Sequence, residues 1–255
     1  MTDPMTDPMT DPMTSPAAPA APASGIIEDI IDIFGSPSAV FARRVGRGAV
    51  APFLTVLALF LALMFVNQGV MSNIMESQRA TKTAEALKGK SLTADQLEQV
   101  SASQKTMAKF AFVAIAVAIP LTLLGFALIA WLVGKPFGST MSFGTALMVV
   151  SFAWLPKVVE QVLLSVQGMV LDTSVLTDPS QVTLGLARFL DHTTTSAAVM
   201  ALAGRVDPIV LWGTVLLAAG YANAGNMERN KAWAAAATVW ALGAVPMLAG
   251  ALMTG

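Results

Sequence analysis

The chain has no cysteine, a single histidine (His192), a single tyrosine, and only 12% charged residues. Without thiols there is no disulfide framework, no thiolate metal site and no thiol catalysis. One histidine cannot build a histidine metal cage. The 15 basic and 16 acidic side chains nearly cancel, to a net charge of -1, so nothing supplies the basic field that nucleic-acid binding needs. No cofactor is expected.

What replaces charge is apolar sequence. Apolar residues make up 55% of the chain and mean hydropathy is +0.66. An ordinary globular domain is about 25% charged. The apolar residues gather into five stretches: Ala49–Gly69, Ala108–Val133, Ser142–Val166, Pro208–Tyr221 and Ala232–Met253. Crossing a hydrocarbon core of about 30 Å takes roughly 20 residues of helix. Four stretches meet that alone. The fourth in the chain needs its flanks, Val206 and Ala222–Gly225. The expected fold is all-α: a polytopic membrane helix bundle with five transmembrane helices.

Residues 1–24 repeat Met-Thr-Asp-Pro and run into Ala/Pro. Proline blocks helix and sheet ladders, so this segment reads as a disordered, partly polyproline tail. It has neither the basic start nor the apolar core of a signal peptide. Ala49–Gly69 is therefore expected to act as an uncleaved signal anchor.

Residues 25–48 read as amphipathic juxtamembrane helices. Ile27, Ile30, Ile31 and Phe34 share one helical face, and Glu28, Asp29 and Asp32 the other. Gly35 stops this helix. Ser36 caps the next, with Pro37 first in it. The second helix sets Val40, Phe41 and Val45 against Arg43, Arg44 and Arg47. These arginines are the candidate contacts to anionic lipid headgroups at the interface.

Residues 49–255 form the expected membrane domain, with residues 70–107 outside the bilayer. There the helical period continues to Leu87, and Gly89 fits a C-terminal cap. Thr93 and Gln96 form a capping box, and Leu92 and Leu97 a hydrophobic staple. A protruding αα-hairpin between the first two spans is expected. The Arg43–Arg47 cluster before the first span favours a cytoplasmic N-terminus. The corresponding location is the inner (cytoplasmic) membrane of a cell, multi-pass.

Within the third span lie Pro156, Lys157 and Glu160. Proline kinks a helix by removing a backbone hydrogen bond. Lys157 and Glu160, three apart, share a face and can pair. A charge at bilayer centre costs roughly 2.5–3.5 kcal/mol on insertion scales, so this group is the candidate intramembrane functional site. Its plainer reading is a neutralising pair that fixes helix packing. In the following loop, Leu184–Leu190 and Ser196–Ala203 are too short to cross and read as interfacial or re-entrant helices. His192 reads as a solvated loop residue. Asp207 should cap the fourth span with Pro208 first in it. Gly213 with Gly220, and Gly243 with Gly250, suit close helix approach. Trp131, Trp233 and Tyr221 suit interfacial belts.

Three segments resemble a known family: DIFGSPSAVFARR (residues 32–44), FGTALMVVSFAWLPKVVEQVL (143–163) and VDPIVLWGTVLLAAGYANAGNMERNKAWAAAATVWAL (206–242). They look like the Yip (Ypt-interacting protein) domain family of five-span membrane proteins, and the resemblance covers about Ile27–Leu252. It implies five helices and a cytoplasmic N-terminus. In eukaryotic members it implies membrane trafficking with small prenylated GTPases. The acidic-Leu-Tyr-Gly-Pro segment of those members is absent here; residues 32–37 only echo it. Composition and tail look bacterial. The family supplies no catalytic residues to carry over.

Three functions from different classes follow. The favoured one is a non-enzymatic membrane adaptor or organiser, binding a protein partner, lipid or a second copy of the chain. The second is a small transporter, channel or lipid-moving protein using Lys157 and Glu160. A membrane enzyme ranks last, because no nucleophile–base pair, metal cluster or phosphate loop is present in the sequence.

Overall fold

The computed structural model describes residues 25–72, 76, 94–170, 179–191 and 194–254; these are helical or irregular, with no strand among them. Ten helices are used below: α1 Ile26–Gly35, α2 Pro37–Arg44, α3 Val50–Val66, α4 Ala94–Gly134, α5 Phe143–Ala153, α6 Leu155–Val170, α7 Ala197–Ala203, α8 Pro208–Asn223, α9 Arg229–Leu242 and α10 Val245–Thr254. Three helical stretches are long and apolar enough to cross a membrane: Val113–Gly134, Phe143–Val170 and Arg229–Gly250. The pair α7 and α8, bent by 54°, makes a fourth if it counts as one span. Helix α3 is apolar throughout but shorter, at 17 residues.

Helix α5 is the hub. Ala146 and every residue from Met148 to Ala153 are buried, with α3, α4 and α8 packed around them. Only a small residue lets α8 approach so closely. A Cβ on Gly220 would overlap the Val149 side chain, and one on Gly213 would lie 3.1 Å from the Ala153 carbonyl oxygen. The expected close packing therefore falls at the α5–α8 crossing for this glycine pair. Gly243 serves differently: it makes room for the Arg205 guanidinium.

The outer surface is apolar as well. On α4, Val113, Val117, Leu121, Leu124, Leu128 and Leu132 are all exposed and recur every three or four residues, while Leu123, Ala127 and Ala130 between them are buried. A soluble protein does not present such a stripe to water. In a bilayer it is the ordinary face toward lipid.

Local signals explain the helix ends. Ser142 accepts from the Thr145 backbone N–H at 3.1 Å and starts α5. Asp207 accepts from Ile209 N–H at 2.7 Å, and Pro208 is first in α8, as the sequence indicates. Pro37 opens α2, although the Ser36 side chain makes no capping bond. Helix α4 begins at Ala94, one residue after the expected cap at Thr93, and runs unbroken past Pro120. Most of the expected hairpin lies outside the described residues, as do the tail of residues 1–24 and His192.

Two edges of the bundle are defined by hydrogen bonds. At one edge, the loop after α4 meets the loop after α8. Thr140 donates to the Gly225 carbonyl from its backbone N–H at 3.1 Å and from its hydroxyl at 3.2 Å. Trp131 Nε1 and Lys135 Nζ both donate to the Met141 carbonyl there. At the other edge, Asn67 just beyond α3 is buried and binds α6. Its Nδ2 donates to the Gln161 carbonyl at 2.9 Å, and its Oδ1 accepts from Ser165 Oγ at 2.8 Å.

Helix α1 has the two faces expected, and the structure shows which residues turn inward. Ile27 and Ile31 are 72% and 69% exposed, whereas Asp29 is fully buried beside Ile33. Ile27 and Ile31 look outward, Ile30 packs half-buried against the core, and Asp29 from the polar face is turned into the protein. Tyr221 departs from the interfacial role. It is buried, and its hydroxyl donates to the Ala130 carbonyl at 2.5 Å.

Candidate functional site

The Phe143–Val170 stretch breaks where the sequence places Pro156. Proline offers no N–H to the Phe152 carbonyl four residues back. Helix α5 ends at Ala153, Trp154 forms a turn, and α6 begins at Leu155 with Pro156 buried in its first turn. The Lys157 N–H bonds the Trp154 carbonyl at 2.9 Å instead of a carbonyl four residues back. The Trp154 ring packs edge-on between Phe60 of α3, at 5.7 Å, and Phe126 of α4, at 5.5 Å.

A cavity of about 280 Å³ opens at this break. Its walls come from α3, α4, α5, α8 and α9, mostly through apolar groups such as Phe60, Phe126, Ile209 and Leu217. Two cationic side chains also line it: Lys157 and Arg205.

Lys157 Nζ donates to Glu160 Oε2 at 2.6 Å, which confirms the pairing expected from their spacing. The lysine side chain is 40% exposed and the glutamate 14%. The pair is therefore partly open on its cationic side. An ammonium carries three donors, and Glu160 is the one hydrogen-bond partner of Lys157 Nζ among the described residues.

Arg205 lies between α7 and α8, at the bend of the broken pair. Its Nη2 donates to the Trp240 carbonyl at 2.6 Å, and the guanidinium lies over the Trp240 ring at 5.6 Å. Trp240 Nε1 returns a bond to the Arg205 carbonyl at 3.3 Å. The Nε of Arg205 is buried without a hydrogen-bond partner. No carboxylate among the described residues pairs with this arginine.

The candidate lipid-contacting arginines divide. Arg44 is buried, and its guanidinium is held by the Asp29 carboxylate. Arg43 Nε donates to Asp29 at 2.5 Å, and its Nη2 to Asp32 at 2.6 Å. The hydrogen bond to Asp32 is the main cause that raises the Arg43 pKa; burial opposes it, and the bond and charge of Asp29 add to the rise. Arg47 remains exposed, after Gly46 and before Gly48, both with positive φ. The arginines thus clamp α2 to α1, and Phe41 packs edge-on against Phe152 of the hub helix at 6.1 Å.

Sequence reasoning missed Arg205, Trp240 and Asn67. Arg205 shows in the sequence only as a loop charge. Its partner Trp240 lies 35 residues away, beyond any spacing rule. Asn67 had a weak signal, as the first polar side chain to end an apolar run. Gln161 and Ser165, one helical turn apart on α6, complete its network.

Lipid-exposed apolar helices around a buried hub define an integral membrane protein. The chain matches the Yip1 domain model over residues 31–250 and belongs to that family. The three segments that carry the resemblance all lie inside this match. No curated protein and no solved structure matches the chain significantly.

Proposed function

We propose that the protein is a non-enzymatic membrane adaptor or organiser that spans the inner membrane of a bacterial cell five times. In this reading the spans are α3 with its continuation, the apolar part of α4, α5 with α6, α8 with its bent partner α7, and α9 with α10. At about 1.5 Å per residue, α3 covers about 25 Å, and the turn at Asn67 extends it. Residues 1–24 form a free tail and residues 25–48 a juxtamembrane platform. Residues 70–107 are the extramembrane hairpin of the membrane domain, residues 49–255. The N-terminus is cytoplasmic, on the side of Arg43, Arg44 and Arg47.

The observation that carries this reading is the platform. Two helices are locked together by buried ion pairs and seated on the hub, while the Ile27–Ile31 face is left outward. Such a surface suits the interface, with Arg47 and the outer part of Arg43 toward anionic headgroups. It also suits a protein partner or a second copy. The second reading, a transporter, channel or lipid mover, is favoured by one observation: Pro156 and the Lys157–Glu160 pair sit at a helix break beside a cavity.

Liposome flux separates the two. Purified protein and the Lys157→Met/Glu160→Gln double variant are reconstituted and assayed for ion and fluorescent-lipid movement. The organiser reading expects no flux from either correctly folded protein. Flux in the natural protein that disappears in the variant would overturn it and make α6 the transport site.

A further inference from the structure

We propose that the cavity at the α5–α6 break is a binding site for an anionic phospholipid, whose phosphate is recognised by Arg205 together with Lys157 and whose acyl chain lies along the apolar wall. This concerns ligand binding and does not depend on whether anything is moved across the bilayer.

Arg205 carries an unbalanced charge. A guanidinium stays protonated in proteins, and burying an unpaired charge is costly. The other buried or half-buried charges are compensated: Asp29 by two arginines, Glu160 by Lys157, and Asp207 by the Ile209 and Val210 N–H groups at the start of α8. Arg205 is the exception among the described residues. It makes one guanidinium hydrogen bond, to a carbonyl, and leans on the Trp240 ring. Neither contact neutralises it. Its position is nevertheless constructed. A Cβ on Gly243 would come within 2.9 Å of Nη2 and 3.3 Å of Nη1, so a larger residue there would shift the guanidinium. The Trp240 indole in turn bonds the Arg205 backbone.

The second cation, Lys157, faces the same cavity. Glu160 cancels one of these two charges, so the wall keeps a net single positive charge. A phosphodiester headgroup carries one negative charge and accepts several hydrogen bonds, which matches that surplus and the open donors. The remaining lining is largely apolar: Phe60, Phe126, Trp154, Ile209, Leu217 and Val239. Ligand pockets run from about 300 to 1,000 Å³, and this one is near the lower end. It fits part of a lipid and not a bulky soluble metabolite. Apolar walls also disfavour free phosphate, which would lose its hydration without gaining apolar contact.

The test is a thermal-unfolding and native mass-spectrometry titration of the full-length protein in detergent. The added probes are phosphatidylglycerol, phosphatidylcholine and inorganic phosphate. The expected result is at least a tenfold preference for phosphatidylglycerol over phosphatidylcholine, with no stabilisation by inorganic phosphate. Arg205→Gln should abolish the preference. Ile209→Trp, which fills the apolar wall and leaves both cations, should weaken phosphatidylglycerol binding tenfold or more. It keeps the proposal testable should Arg205→Gln fail to fold. Equal binding of the two lipids would overturn the proposal, as would a preference that survives in a folded Arg205→Gln, or phosphatidylglycerol affinity left unchanged in Ile209→Trp. Stabilisation by inorganic phosphate matching that by phosphatidylglycerol would overturn the lipid assignment.

Discussion

Two guanidinium groups in this molecule, Arg44 buried and Arg205 half-buried, meet opposite circumstances. Arg44, in the α1–α2 platform, faces a fully buried carboxylate that it shares with Arg43. Arg205, at the bend between α7 and α8, faces a carbonyl, an indole ring and a cavity. The first set of charges is complete within the protein. It fastens two short helices that could not hold together otherwise, since isolated helices of eight or ten residues are unstable in water. The second set is incomplete, and an uncompensated, half-buried charge leaves room for a partner from outside.

The strongest way to break this contrast is to open the closed set. Asp29→Ala leaves Arg44 buried without its carboxylate and should cost about 3–5 kcal/mol, measured by denaturant unfolding in detergent. A loss under 1 kcal/mol would mean that the clamp is not what holds α1 on α2. Gly220→Ala should cost about 1–3 kcal/mol, because the added methyl overlaps Val149 where α8 crosses the hub. Gly125→Ala, with open space around its position, is the control and should be neutral or slightly stabilising. If the two behave alike, the close crossing is not a packing constraint.

The Lys157–Glu160 pair sharpens the comparison from within the bundle. Lys157→Met strands a mostly buried carboxylate and should cost about 1–3 kcal/mol. Adding Glu160→Gln should recover part of that, and a double variant no more stable than the single one would refute a coupled pair. Tyr221→Phe removes the bond to the Ala130 carbonyl, for a loss of about 1 kcal/mol; an unchanged unfolding midpoint would argue against that bond. Smallest of all is Asp32→Asn. Asp32 is more than a third exposed, so its pairing with Arg43 is screened and worth about 1 kcal/mol or less. An effect as large as that of Asp29→Ala would erase the distinction between the inner and outer carboxylates.

How much of this the sequence discloses depends on the range of the physics. The apolar runs are legible because lipid imposes length and composition over some twenty residues at a time. Caps and the Lys157–Glu160 pair are legible because they act within one helical turn. The facing of α1 is not. Periodicity separates Ile27 and Ile31 from Asp29, but it cannot say which side is inside when the surroundings are themselves apolar. Asp29 meets Arg44 fifteen residues on, and Arg205 meets Trp240 thirty-five residues on. No local rule links such pairs. Tyr221 was misplaced for the same reason: an aromatic residue with a polar tip suits a membrane interface and a buried helix contact equally well.

The two hydrogen bonds from Thr140 to the Gly225 carbonyl tie the turn of the α4–α5 hairpin to the turn of the α8–α9 hairpin. The two turns must therefore emerge on the same face of the membrane, whichever face that is. A chain built from hairpins can in principle insert each of them independently, and one of them the wrong way round. Here the second hairpin cannot reverse relative to the first without losing the lacing at residues 140 and 225. Orientation is thereby one choice for the two hairpins rather than two.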